Sequence, residues 1–119
     1  MIKLNESQLT SLTSEEKIAI SILKERLKKE FNVVKLILFG SKARGDYTEY
    51  SDVDLLVLVK ESPTREAKEK LSDVQFATIM EQDAPLMSIL ENYNNWLEEV
   101  NVSLPLKDNI ESEGIEIEI

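Results

Sequence analysis

The spacing of apolar residues divides the chain into helical and extended segments. A Thr-x-x-Glu capping box at residues 13–16 precedes apolar residues at helical spacing, which predicts a helix over residues 14–31. The positions expected to face the core along this helix are Ile18, Ile22, Leu23, Leu27 and Phe31.

Two short runs of large and β-branched apolar residues predict central strands. Residues 33–39 read VVKLILF and residues 53–59 read VDLLVLV, so both faces of each strand are apolar, as in a sheet covered on both sides. The polar segment between them, residues 40–52, contains two of the three glycines. It predicts a turn, a short helix over residues 41–45 and then a loop.

The rest of the chain alternates helices with strands. The pattern predicts a helix from Pro63-Thr64 to Gln82, a strand over 86–90, a short helix capped by Asn92, helical turns over 104–112 that end at Gly114, and a strand over 115–119. The last segment, IEIEI, alternates strictly and is expected to be a half-exposed edge strand, which is compatible with a homodimer. These elements predict an α/β (α+β) fold with helices packed on a small mixed sheet. The chain lacks repeats and linkers, which predicts a single domain over residues 1–119.

The composition excludes several kinds of chemistry. The chain has no cysteine, so disulfides, Cys-ligated zinc, iron–sulfur clusters and thiol catalysis are excluded. It has no histidine, which excludes Ser-His-Asp catalysis and most transition-metal sites. A metal bound by this protein is therefore expected to be a hard cation held by oxygen atoms.

The net charge of −9, from 14 basic and 23 acidic residues, argues against nucleic-acid binding, which needs clustered Lys and Arg. Residues 91–119 contain eight acidic residues and one lysine, a net charge of −7. This acidic quarter either faces a basic partner or is a solvated surface. The start shows no signal-peptide pattern and no apolar run reaches membrane-spanning length, so we expect a cytoplasmic protein that does not enter membranes.

Asp54 is unusual because it interrupts an apolar strand that is predicted to be buried. Burying an ionised carboxylate costs on the order of several kcal/mol unless the carboxylate is paired with a cation or binds a metal. Asp52 precedes it by two residues, a spacing that points strand side chains to the same face. The two carboxylates can therefore share one cation; alternatively, Asp52 ends a loop and Asp54 is a structural acid bonded to backbone amides.

Gly40-Ser41 follows the first central strand directly and forms a candidate phosphate-binding corner. A chain that leaves a strand and enters a helical turn presents free backbone N–H groups, here beside a small hydroxyl. Lys42 and Arg44 can neutralise further phosphate charge, and the guanidinium can make a forked contact. A phosphate corner next to paired carboxylates suits Mg²⁺-assisted chemistry on a nucleoside triphosphate.

The motif resembles that of a known superfamily. Gly40-Ser41, ten residues and then Asp52-Val53-Asp54 is similar to the Gly-Ser-x10-Asp-x-Asp signature of the nucleotidyltransferases that include DNA polymerase beta. The longer strings GSKARGDYTEYSDVDLLVLV and LPLKDNIESEGIEI resemble the small MNT-type (minimal nucleotidyltransferase) proteins, many of which are paired with HEPN-domain toxins in toxin–antitoxin operons. The resemblance implies the nucleotidyltransferase fold.

The resemblance also implies roles for the motif residues. Gly40 and Ser41 would grip the triphosphate of ATP or another nucleoside triphosphate, and Asp52 and Asp54 would ligate Mg²⁺. A hydroxyl would attack the α-phosphorus and pyrophosphate would leave, with a tyrosine of the HEPN partner as the acceptor in paired members. Arg44 would contact phosphate or tie down its loop through Asp46 or Glu49.

The sequence departs from the family pattern at the third carboxylate that fully equipped members carry on a later strand. The expected strand, 86–90, reads LMSIL and contains no acid. The nearest acids are Asp83, expected at a helix end, and Glu91 and Glu116, both expected to face solvent. An alternative function is therefore a catalytically weak or inactive nucleotidyltransferase-fold protein that neutralises a partner by binding.

Overall fold

The computed structural model describes all residues, 1–119, and contains five β-strands and five α-helices. The strands are β1 (Lys3–Leu4), β2 (Val33–Phe39), β3 (Val53–Val59), β4 (Leu86–Asn92) and β5 (Ile115–Ile117). The helices are α1 (Ser14–Glu30), α2 (Ser41–Arg44), α3 (Arg65–Gln82), α4 (Tyr93–Glu98) and α5 (Leu104–Glu113), with a 3-10 turn at Glu6–Gln8. No helix combines the length and the apolar character that crossing a bilayer requires.

One mixed sheet holds all five strands in the spatial order β1-β5-β2-β3-β4. The long central strands β2 and β3 are antiparallel, with Phe39 opposite Asp54, and β4 runs parallel to β3. On the other side, β5 is antiparallel to β2 and parallel to β1. The predicted α/β (α+β) fold with a mixed sheet is confirmed, and the predicted bounds of β2 and β3 are correct.

Helices cover both faces of the sheet, as the two apolar faces of the central strands predicted. On one face α1 and α3 pack over Leu55, Val57 and Val59 of β3. On the other face Leu56 and Leu58 pack in a smaller core that includes residues of α4 and α5. Asp54 has the same strand parity as Leu56, so it belongs to the α4–α5 face.

The prediction that the IEIEI tail is an edge strand is wrong. The strand ends at Ile117, and Lys3–Leu4 pairs with it on its outer side, so β5 lies inside the sheet. A two-residue strand carries no detectable sequence pattern, so the covering strand cannot be predicted from the chain alone. The full-length strand at the edge of the sheet is β4, and the homodimer stays a prediction that the IEIEI segment no longer supports.

Helix α1 begins with the predicted capping box. The Thr13 hydroxyl accepts a hydrogen bond from Glu16 N (3.1 Å), and the Glu16 carboxylate accepts one from Thr13 N (2.9 Å). The predicted core position Ile18 is wrong, since its side chain is 52% exposed. The buried stripe begins instead at Glu16 and continues through Ala19 and Ile20, because the helix turns this acid towards α2.

A buried ion pair joins α1 to α2. Lys42 Nζ lies 3.1 Å from the Glu16 carboxylate, and both side chains are almost fully buried. The hydroxyl of Ser11 also donates to the Lys42 carbonyl oxygen. Lys42 Nζ also donates to the Ser11 carbonyl oxygen at 3.4 Å, so three contacts, one of them ionic, hold the four-residue helix α2 against residues 11–16.

We expect removal of this ion pair to destabilise the protein. Glu16→Gln leaves the Lys42 ammonium buried without its counter-charge, which costs about 3 kcal/mol in the free energy of unfolding. The control Glu15→Gln changes the adjacent exposed acid of the same helical turn and should stay within about 0.5 kcal/mol of the wild type. Urea denaturation measures both variants, and equal losses would contradict the structural role of the pair.

Candidate active site

The end of β2 lies directly against the Asp54 carboxylate. Gly40 follows β2 with φ +75° and ψ −159°, a backbone conformation open to glycine and strained for other residues. A Cβ added to Gly40 would overlap the Asp54 carboxylate. Glycine at this position is therefore what allows the turn to begin beside the acid.

Asp54 is half-buried, and no other group of the protein donates a hydrogen bond to its carboxylate. Neither Asp54 nor Asp52 accepts a hydrogen bond from a side chain or an amide, although carboxylates elsewhere in the chain are well supplied with donors. Burial raises the pKa of Asp54, and the nearby charge of Asp52 raises it further. If Asp54 were a structural acid, backbone N–H groups would donate hydrogen bonds to its carboxylate. The structure shows no such hydrogen bond.

The Gly40-Ser41 turn opens helix α2. The N–H groups of Ala43 and Arg44 both donate to the Gly40 carbonyl oxygen at 3.0 Å. The amides of Ser41 and Lys42, which start the turn, have no such acceptor, as is usual at a helix start. The structure thus places Gly40 against Asp54, at the start of a turn whose first amides are unpaired.

The two basic residues of the motif are both engaged with carboxylates. Lys42 is buried against Glu16, so its charge is already compensated. Its predicted contact with phosphate stays a prediction that this pairing does not support. Arg44 makes the predicted tie to Asp46 (Nε to Oδ1, 3.2 Å), but it has no contact with Glu49.

Arg44 has a second partner that no local pattern indicates. Its Nη1 atom donates to Glu113 Oε2 at 2.7 Å, across 69 positions of the chain. These hydrogen bonds to Asp46 and Glu113 raise the pKa of the Arg44 guanidinium. The sequence offered one indirect signal for this contact. The tail that resembles the family, LPLKDNIESEGIEI, contains Glu113, but nothing in it distinguishes Glu113 from the neighbouring acids.

No third carboxylate joins the pair. The residue of β4 in register with Asp54 is Met87, and the chain contains no group of three acidic side chains arranged to hold a metal. Asp83 is the C-cap of α3, as predicted. Glu91 lies further along β4, opposite Leu58, where burial raises its pKa.

Glu116, the other acid considered, forms ion pairs with Lys3 and Lys35 on the opposite half of the sheet. The candidate metal-binding set of this chain is thus the pair Asp52 and Asp54. Two carboxylates fit Mg²⁺, which is usually held by one or two acids together with water and substrate phosphates. Both acids also have unused acceptor oxygens, which suits them to a cation.

We expect Gly40→Ala to lower the free energy of unfolding by about 3 kcal/mol or more, since the new Cβ is strained and overlaps Asp54. The control Gly45→Ala has a similarly positive φ but open space, and should cost about 1 kcal/mol. A double-mutant cycle isolates the overlap, because Gly40→Ala should cost about 1 kcal/mol less when Asp54→Ala is present. Additive effects in denaturant unfolding would show that the two residues do not touch.

Comparison with known proteins identifies the family of this chain. Residues 20–116 match the family model described as Nucleotidyltransferase domain. MJ0141, a predicted protein adenylyltransferase of Methanocaldococcus jannaschii, is 35% identical over 104 residues, which are 82% of this chain and 97% of that protein. MJ1305 of the same organism, also a predicted protein adenylyltransferase, is 50% identical over 56 residues, 43% of this chain and 38% of that protein.

Two solved structures share the fold. A toxin–antitoxin crystallised with AMP-PNP superposes with a TM-score of 0.60 at 19% identity, over 87% of this chain and 72% of that one. A tyrosine-to-alanine mutant of the toxin–antitoxin MntA-HpeT gives a TM-score of 0.57 at 22% identity, over 90% and 73% of the two chains. The predicted nucleotidyltransferase fold is therefore confirmed, and this chain, with its Gly-Ser turn set against paired aspartates, belongs to the nucleotidyltransferase family.

Proposed function

We propose that this nucleotidyltransferase depends on Mg²⁺ and transfers AMP from ATP to a hydroxyl group of a protein partner. The observation that carries the proposal is the contact between Gly40 and Asp54. It sets free backbone donors beside a carboxylate pair that has no protein hydrogen-bond donors. One triphosphate can then meet the turn and the metal site at once.

Asp52 and Asp54 would hold the Mg²⁺ ion, and the amides and hydroxyl of the Gly40-Ser41 turn would hold the phosphates. When bound, Mg²⁺ neutralises phosphate charge and polarises the phosphorus for attack. Ser41 supplies a hydroxyl donor and two lone pairs, with the hydroxyl close to the backbone donors of its own turn. The chain's own contribution is to place the triphosphate and to exclude a side chain at Gly40.

The transfer needs no reagent other than ATP and the acceptor hydroxyl. The acceptor oxygen forms a bond to the α-phosphorus of ATP, and the bond from that phosphorus to the oxygen bridging the α- and β-phosphates breaks. Pyrophosphate leaves with that oxygen, and the acceptor's proton passes to solvent or to a base. The product is an AMP group joined to the partner through a phosphodiester bond.

The relatives support the choice of nucleotide and acceptor. MJ0141, which this chain matches over 97% of that protein, is a predicted protein adenylyltransferase. The family resemblance points to a HEPN-type toxin as the partner, within a toxin–antitoxin pair. The acidic C-terminal quarter, with its net charge of −7 over residues 91–119, suits a basic surface on such a partner.

A second function is favoured by one observation, the methionine in register with Asp54. Because Met87 stands where a strand-borne third acid would lie, the chain lacks an evident base for the acceptor hydroxyl. A protein that neutralises its partner by binding alone fits this site as well. The two functions differ in whether the aspartates are needed.

A label-transfer experiment separates the two functions. The protein is incubated with α-³²P-ATP, Mg²⁺ and the product of the adjacent gene as the candidate partner. We expect label on the partner, and its loss by at least about 100-fold in Asp52→Asn/Asp54→Asn, since the metal would no longer be held. The control Glu66→Gln/Asp73→Asn removes the same two charges at exposed positions of α3, outside the acidic C-terminal quarter, and should transfer normally. Neutralisation without label, unchanged in the first variant, would establish the binding function instead.

The raised pKa of Asp54 also predicts a pH-dependent stability. Because its pKa is higher in the folded protein than in the unfolded chain, ionised Asp54 disfavours the folded state, and this penalty disappears as pH falls through the raised pKa. Without metal at pH 7, Asp54→Asn should raise Tm by a few degrees, and the difference should shrink at acidic pH. Millimolar Mg²⁺ should raise the Tm of the wild type only. A large fall in Tm for Asp54→Asn would indicate a structural carboxylate.

A further inference from the structure

Arg44 is held between two carboxylates from distant parts of the chain. Its Nε atom contacts Asp46, which lies two residues further on in an exposed loop, and its Nη1 atom contacts Glu113 at the end of α5. The two partners differ in exposure, with 65% of the Asp46 side chain and 15% of the Glu113 side chain accessible. Since exposed ion pairs are weak, the bond to Glu113 is the one that can fix the guanidinium.

Glu113 is itself placed by the core and by the sheet. Helix α5 buries Ile110 completely, and Gly114 N–H donates to the Ile110 carbonyl oxygen at 2.7 Å where the helix ends. A Cβ on Gly114 would overlap that oxygen and the side chain of Ile37 in β2. The next residue, Ile115, pairs with Leu38. Glu113 is thus anchored immediately beside β2, the strand that leads into the Gly40-Ser41 turn.

Of the two basic residues in the Gly40-Ser41 turn and α2, Arg44 is the one that can still interact with a ligand in the active site. Lys42 is buried against Glu16, whereas Arg44 lies close enough to Asp54 to lower the pKa of that carboxyl, and Glu113 acts in the opposite direction. Nε and Nη1 of Arg44 are engaged by the two carboxylates, while Nη2 donates to no protein acceptor. One edge of the guanidinium is therefore held, and one nitrogen is left with two N–H groups to give.

We infer that Glu113 is a positioning residue for nucleotidyl transfer, which holds Arg44 so that its Nη2 group meets the triphosphate bound at the Gly40-Ser41 turn. The nucleotide as the ligand of Arg44 rests on the proposed function, whereas the contact between Arg44 and Glu113 is seen in the structure. A guanidinium fixed in advance loses less freedom when it binds phosphate, so the pair strengthens nucleotide binding more than it strengthens the fold.

The test compares Glu113→Gln with Asp108→Asn, an exposed acid of the same helix and the same charge change. Isothermal titration calorimetry measures the affinity for AMP-PNP with Mg²⁺ as the probe. We expect Glu113→Gln to weaken binding about tenfold, with a Tm within a few degrees of the wild type, and Asp108→Asn to leave the affinity unchanged. The same affinity in Glu113→Gln as in the wild type, or a tighter one, would overturn the inference.

A second measurement reports on Arg44 without nucleotide. NMR relaxation of the arginine Nε–H groups should show Arg44 ordered in the wild type, and Arg65, whose side chain is 89% exposed, mobile. In Glu113→Gln the order of Arg44 should fall towards that of Arg65, with a smaller loss in Asp46→Asn. An Arg44 that stays equally ordered in Glu113→Gln overturns the positioning role.

The two proposals fail in different ways. If the wild type does not bind AMP-PNP, the proposed function fails, and the nucleotide role of Glu113 fails with it. If the wild type binds and Glu113→Gln binds equally well, only the positioning role fails. A fall in affinity that the reversed pair Arg44→Glu/Glu113→Arg restores would reduce Glu113 to a structural tie. Affinity still lost in the reversed pair supports positioning, because the arginine then stands on α5 and not on the Gly40-Ser41 turn.

Discussion

The close approach of Gly40 to the Asp54 carboxylate is the constraint on which the rest of the site depends. The antiparallel pairing of β2 with β3 sets Phe39 opposite Asp54, so the residue after Phe39 must lie against the acid. Only a residue without a Cβ fits there in a left-handed conformation. The turn that follows, with its unpaired amides, therefore begins beside the carboxylate, and the candidate phosphate corner and the candidate metal site become one site.

The protein treats its half-buried and buried charges in two different ways. The Glu16–Lys42 pair is fully compensated and ties the motif turn to α1, so it serves the fold. Asp54 is raised in pKa by burial and by Asp52, and no hydrogen bond offsets that cost. A carboxylate that accepts no hydrogen bond and whose pKa is raised is a place where a cation gains binding energy. The contrast distinguishes the structural lysine of the motif from its candidate functional aspartates.

Local patterns predicted the elements well where the chain is strongly periodic. The β2 and β3 runs, the capping box of α1 and the glycine that ends α5 are each specified by neighbouring residues, and the structure has them at the predicted places. The failures, the IEIEI edge and the exposed Ile18, have one cause. Which face or edge an element buries is decided by what packs against it, here β1 and α2.

Residues close along the chain specify the two central strands, the turn between them and the spacing of Gly40-Ser41 from Asp52 and Asp54, so these features could be predicted from local patterns. The partners of Lys42 and Arg44, in contrast, depend on how distant segments fold together. Glu16 lies 26 positions before Lys42, and Glu113 lies 69 positions after Arg44. The pairing of β4 with β3 also places Met87 beside Asp54. Such contacts arise from strand register and helix packing, which bring together residues that no local pattern relates.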